Sequence, residues 1–145
     1  MEKEGNFIME KKLRNYINAQ RVEAYEFSKQ PGCWMGSLPH HSDTKYWNER
    51  VPTGTLKEFK RIELEESAYY CIADAYSKSY ARSIDFSWYS DKELKKEIDS
   101  ACKHMEAERK FYEEEEKKAQ EEEAKLAKDL NIDVDTLKRW IKEAA

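Results

Sequence analysis

The stretch that most constrains the fold runs from residue 90 to the C-terminal end. It opens on Ser90-Asp91-Lys92-Glu93, in which the serine hydroxyl and Glu93 can cap a helix start. Leu94, Ile98, Ala101, Cys102, Met105 and Tyr112 then recur three and four apart and give that helix an apolar seam. After Tyr112 the seam fades to Ala119. There the acid-first pairs Glu113→Lys117, Glu114→Lys118 and Glu121→Lys125 sit four apart, each stabilising a helix by roughly 0.2–0.5 kcal/mol. A helix over residues 91–128 would be about 57 Å long. A rod of that length, with no core beneath its second half, must project from a small body or lie against a partner helix.

Composition supports the same reading. The chain has 145 residues, 39% of them charged, with only 4 Gly and 3 Pro. So few helix breakers favour long helices over many short strands. The formal net charge is −4. Acidic and basic side chains balance over residues 1–90, so the negative excess lies wholly in the arm, and no overall field draws the chain onto nucleic acid. Cys33, Cys71 and Cys102 are widely spaced, and the N-terminus lacks the basic and apolar pattern of a secretory signal, which fits a cytoplasmic protein. No apolar run approaches the ~20 residues a membrane helix requires, so no membrane partner is expected.

Earlier in the chain, Met9, Leu13, Tyr16, Ile17, Ala24 and Phe27 predict an amphipathic helix over residues 7–29, stopped by Pro31-Gly32. Residues 30–54 hold all the remaining prolines and glycines except Gly5, yet also Trp34, Met35, Leu38, Tyr46, Trp47 and Val51. A solvated loop has no use for two tryptophans, so this segment is expected to pack over the core, with a short helix near residues 46–50. Thr55 and Glu58 form a second capping box. A helix over residues 55–82 should follow, with Phe59, Ile62, Tyr69, Ala73, Tyr76 and Tyr80 on one stripe. Glu66 interrupts that stripe and needs a partner if buried. Residues 83–89 alternate polar and apolar, predicting an extended connector or short strand with Ile84, Phe86 and Trp88 facing the core.

The closing residues carry the most specific pattern. Ala127 is small where two helices would cross, and Leu130 and Ile132 flank a turn. Asn131 occupies a position suited to positive φ, Asp133 can cap the next helix, and Leu137, Trp140 and Ile141 supply an apolar face. This segment, residues 122–142, resembles the helix-turn-helix of phage and bacterial DNA-binding regulators. The resemblance implies that the second helix faces DNA, with Lys128, Thr136, Lys138, Arg139 and Lys142 as the contacting residues. It also departs from the pattern: Asp133 and Asp135 stand in the reading turn and Glu121, Glu122 and Glu123 precede it, all opposing a phosphate backbone. An ordinary helical hairpin that buries its own leucines uses the same spacing.

Other chemistry is weaker. Cys33, His40, His41, Asp43, Cys71, Cys102 and His104 supply metal-ligand types, but no pair has the spacing of a zinc motif. Cys71 and Cys102 read more simply as small buried side chains. His40-His41-Ser42-Asp43 offers a base and an acid, the basis for a metal-dependent hydrolase reading, with no nucleophile or phosphate loop beside it. Trp34, Trp47, Tyr70 and Tyr89 fall off the helical stripe and are candidate partner-binding anchors.

The expectation is an all-α protein. A three-helix body (residues 7–29, 55–82 and 91–112) is closed by an aromatic-rich loop, and residues 113–145 form a charged helical extension ending in the hairpin. No catalytic residue, metal or cofactor is assigned. The leading function is a non-enzymatic accessory protein that docks on a protein or nucleoprotein. Small acidic chains of this kind are common among phage and mobile elements, a resemblance in kind only. DNA binding through the hairpin is the alternative. Self-association of the exposed helix is compatible with the pattern, although sustained coiled-coil heptads are missing.

Overall fold

A computed structural model describes residues 7–145. The protein is all-helical. Its elements are α1 (Lys11–Ser28), α2 (Thr44–Arg50), α3 (Leu56–Ala75), α4 (Lys78–Arg82), a 3-10 turn (Phe86–Trp88), α5 (Asp91–Asp129) and α6 (Val134–Ala144).

Helix α3 is the axis of the body. Its first half meets α1 and α2. Leu13 and Ile17 of α1, Trp47 of α2, Val51 and Phe59 form one buried cluster, with Tyr16, Leu38, Tyr46 and Ile62 around it. Each fully buried side chain of this size contributes about 1.5–3 kcal/mol. The later part of the aromatic loop, from Leu38 to Val51, therefore closes the body as expected, whereas residues 34–37 are exposed, Trp34 among them. Asp43 accepts from the Tyr46 amide at 3.2 Å and so starts α2, which carries Trp47 into the core. Phe7 and Met9 also pack on this cluster, but from outside the helix: α1 begins at Lys11, later than its apolar period suggests. Glu10 is used elsewhere. Its carboxylate accepts from the Leu56 amide at 2.9 Å, and its own amide donates to the Gly54 carbonyl at 2.8 Å. With the Thr55 hydroxyl, which accepts from Glu58 N, the Glu10 carboxylate takes up two of the open amides at the start of α3.

Helix α5 runs along α3 from Arg61 onward. Arg61, near the start of α3, donates to Asp91 at the start of α5 at 2.6 Å, and Tyr76, just past the end of α3, stacks on His104 with ring centroids 4.7 Å apart. The two helices therefore run parallel, and residues 78–89 return along α3 to make this possible. Ile72, Ala75, Ala81 and Ala101 form the second buried cluster, with Tyr69, Cys71, Ile84, Phe86 and Met105 packed on it. Arg61 also donates to Glu65 and to the carbonyls of Phe86 and Tyr89, so one guanidinium ties the return segment and α5 to α3. Arg61→Met is expected to cost about 1.5–3 kcal/mol, since the two carbonyls and Asp91 lose a charged donor together; a urea titration of the variant measures it.

Four sequence expectations change here. The helix expected over residues 55–82 breaks at Tyr76–Ser77, because the Ser77 hydroxyl accepts from Tyr80 N and caps a new helix instead of continuing the old one. The buried stripe of α3 is then Phe59, Ala68, Ile72 and Ala75, and Tyr76 and Tyr80 are left about half exposed. The segment expected to be extended over residues 83–89 instead makes the 3-10 turn. The Asp85 carboxylate accepts from the Ser87 amide, the Ser87 hydroxyl and the Trp88 indole N–H, which bends the chain and leaves Trp88 84% exposed. The seam of α5 ends at Met105; Tyr112 is exposed. Glu66 does find its partner: Arg50 holds it by two hydrogen bonds, 2.5 and 2.8 Å, which keeps its carboxyl below the usual glutamate range.

Candidate binding surface at the end of the long helix

Helix α5 starts as expected, with Ser90 Oγ accepting from Glu93 N at 3.1 Å. It then runs about 58 Å without interruption. Over residues 106–122 every side chain is exposed, so this section is held by its own hydrogen bonds and ion pairs. The pairs that form are not the anticipated ones. Arg109 bridges Glu106 and Glu113, Lys110 approaches Glu106 at 3.9 Å, and Lys118 approaches Glu115 at 3.7 Å. On a face with acids and bases at both three and four residues' separation, the alternatives differ by only tenths of a kcal/mol, and spacing alone does not choose between them.

The rod ends in a Schellman turn. Ile132 N donates to Ala127 O at 3.0 Å and Asn131 N to Lys128 O at 3.1 Å, with Asn131 at φ 56°. Asn131 is the only non-glycine residue at positive φ among the described residues, at the position its sequence context indicated. Asn131→Val is expected to weaken the turn by about 1–2 kcal/mol, because a β-branched side chain is strained there. Amide exchange in α6 should rise while that of α3 stays unchanged.

Asp133 then caps α6, accepting from Thr136 N at 2.6 Å. The Thr136 hydroxyl and amide hold the Asp133 carboxyl below the usual aspartate range, with Arg139 adding to the effect. Thr136 is thus occupied in shaping the hairpin. Leu137 is buried at 3% exposure, as is Ala127 at 2%, and these two residues close the elbow.

Trp140 and Ile141 were expected to share that burial and do not. They remain 48% and 51% exposed, and Leu126 and Leu130 on the last turns of α5 are similarly open. A hairpin of one 11-residue helix against one end of a rod has room to cover a single leucine, not a whole apolar face. The cations Lys128, Lys138, Arg139 and Lys142 are all exposed, and Lys138 lies 4.0 Å from Glu123.

The four candidate aromatic anchors are not gathered on one surface. Trp47 is a correction: it is fully buried, its indole N–H donating to the His40 carbonyl at 3.0 Å, and cannot contact a partner. Trp34 stands 82% exposed on the loop after α1. Tyr70 is exposed on α3 beside a shallow depression of about 380 Å³ that Glu65, Tyr69, Asp85 and Phe86 help to line. Tyr89 is half-buried against Phe86 and offers its carbonyl to Arg61.

Two groupings were not anticipated. Leu126 and Leu130 join the exposed apolar set at the tip; their i, i+4 spacing was the available signal. Lys57, Lys60, Arg61 and Lys95 line a groove of about 460 Å³ with Tyr16, Glu63 and Asp91, which the packing of α1 and α5 on α3 assembles. In the His40–His41 loop the rings lie 4.1 Å apart. His40 Nδ1 pairs with Ser42 and His41 Nδ1 with Asn18, while burial, His40, Arg14 and Arg21 press the His41 pKa down. Among the described residues, no three His, Cys, Asp or Glu side chains converge to hold a metal, and no helix is long and apolar enough to cross a membrane. Comparison with protein-family models, with curated proteins and with solved structures yields no significant match.

Proposed function

We propose that this chain is a non-enzymatic docking protein that presents the α5–α6 hairpin, at the end of a rod, to a protein partner. The observation that carries this reading is the half-exposed apolar set Leu126, Leu130, Trp140 and Ile141, next to the elbow closed by Ala127 and Leu137. An amphipathic helix with a tryptophan on its open face suits a partner with an apolar groove, since buried tryptophans dominate such interfaces. The rod supports the same reading by holding the tip clear of the body. Capture of a partner by the full chain, lost on truncation after Tyr112 and weakened at least tenfold by Trp140→Asp, is the expected result. Equal capture by the truncated chain would remove the tip from the interaction.

A second reading, a DNA-binding regulator, rests on the exposure of Lys138, Arg139 and Lys142 on one short helix behind a well-formed turn. Asp133 and Asp135 at the start of that helix oppose it. Fluorescence anisotropy with mixed duplex DNA at low salt separates the two readings. Binding that disappears in Lys138→Glu with Arg139→Glu supports the regulator; no binding by the full chain leaves the docking protein.

A further inference from the structure

The parallel packing of α3 and α5 fixes which residues of the two helices lie level with each other. Arg61 meets Asp91 at one end, and Tyr76 meets His104 at the other. Between those marks, residue 71 falls level with residues 99–101, one step from Cys102. Cys71 packs on the cluster that contains Ala101, and the small Ala101 side chain lets the helices approach there. Cys102 follows Ala101 in sequence and is exposed, whereas Cys71 is partly covered. Cys102 thus stands next to the Cys71 side chain across the α3–α5 contact, near enough to act on the Cys71 thiol electrostatically. Cys33 belongs to the loop after α1, where its thiol points to Gln30 at 3.8 Å, and takes no part in this pair.

We propose that Cys71 and Cys102 form a peroxide-oxidisable dithiol, which closes to an intramolecular disulfide stapling α3 to α5 and reopens when reduced by a thiol. Cys102, the exposed sulfur, meets the oxidant. Its thiolate attacks one oxygen of hydrogen peroxide and the O–O bond breaks. Hydroxide leaves and takes up the proton given up by Cys102, which yields water and a sulfenic acid on Cys102. The Cys71 sulfur then attacks the Cys102 sulfur. The S–S bond forms, the S–O bond breaks, and the hydroxyl leaves with the Cys71 proton as a second water. The two thiols lose two electrons in all, and one hydrogen peroxide gains them. Burial and the neighbouring Cys102 sulfur and Asp74 push the Cys71 thiol up, so Cys71 stays protonated and acts second. The staple sits just below the point where α5 leaves the body.

The test uses the full chain carrying Cys33→Ser, treated with hydrogen peroxide. The expected product is monomeric, lighter by two hydrogens, with no free thiol and a proteolytic peptide that joins Cys71 to Cys102. Its melting temperature should rise by roughly 5–10 °C and fall back on reduction. A product that only gains oxygen atoms, or that links two chains through Cys102, overturns the proposal. A second variant, Cys33→Ser with Cys71→Ser, separates the roles of the two sulfurs. A dimedone adduct on Cys102 should accumulate in this variant and not in Cys33→Ser alone. Equal adduct in both proteins would show that Cys71 does not resolve the sulfenic acid, and the pairing would fall.

Discussion

Trp47→Ala is expected to destabilise the protein by about 3–5 kcal/mol, the largest single effect in the body. Trp47 is fully buried and meets Phe59 edge to face, with ring centroids 5.3 Å apart, inside the cluster formed with Leu13, Ile17 and Val51. Truncation leaves a cavity that three separate elements line, and α2 has no other buried side chain with which to close it. The His40 carbonyl loses its donor as well. Urea unfolding followed by far-UV circular dichroism gives the number directly. Trp47→Phe keeps most of the apolar volume and should cost far less. An alanine variant within 1 kcal/mol of the parent would mean that α2 does not close the body.

Gly54→Ala is expected to cost about 2–5 kcal/mol, from left-handed backbone strain of ~1–2 and overpacking of ~1–3. Gly54 sits at φ +68°, and a Cβ there would lie 2.3 Å from the Ile8 carbonyl oxygen. That oxygen belongs to backbone, which cannot rotate away as a side chain can. The segment before α1 would have to retreat, and the hydrogen bond from Glu10 N to Gly54 O would go with it. Its loss would also pull the Glu10 carboxylate away from the start of α3. Thermal unfolding of the variant checks this. A melting temperature unchanged within a degree would contradict the close approach of residues 8 and 54.

The features legible in the sequence were those written within a few residues of themselves. Thr55, Ser90 and Asp133 each accept from an amide three residues on, and Asn131 takes the left-handed turn. Such bonds need no distant partner, so residue type and spacing suffice to place them. The break at Ser77 is equally local. Its serine is a good cap, but the apolar period running through Tyr76 and Tyr80 outweighed it. Burial depended on what lay opposite. Of the tryptophans, Trp47 is the core of the body while Trp34 and Trp88 are exposed, and nothing in their immediate sequence separates them. The return of residues 78–89 along α3 decides which side of α3 is covered, and with it which tyrosines stay open. At the tip, the turn and the cap were readable, but the exposure of Trp140 and Ile141 was not, because it reflects how little surface the facing end of α5 has to offer.

The bare middle of α5 has a consequence for how the molecule opens. Residues 106–122 have backbone hydrogen bonds but no covered side chain, so their amides can exchange with solvent by local fraying, at a protection set by helix propensity alone. Amides around Phe59, Ile72 and Ala101 should exchange only when the whole body unfolds. One continuous helix thus joins two regions that need not melt together. A protease given time should find Lys117 and Lys118 first and release body and tip as separate pieces.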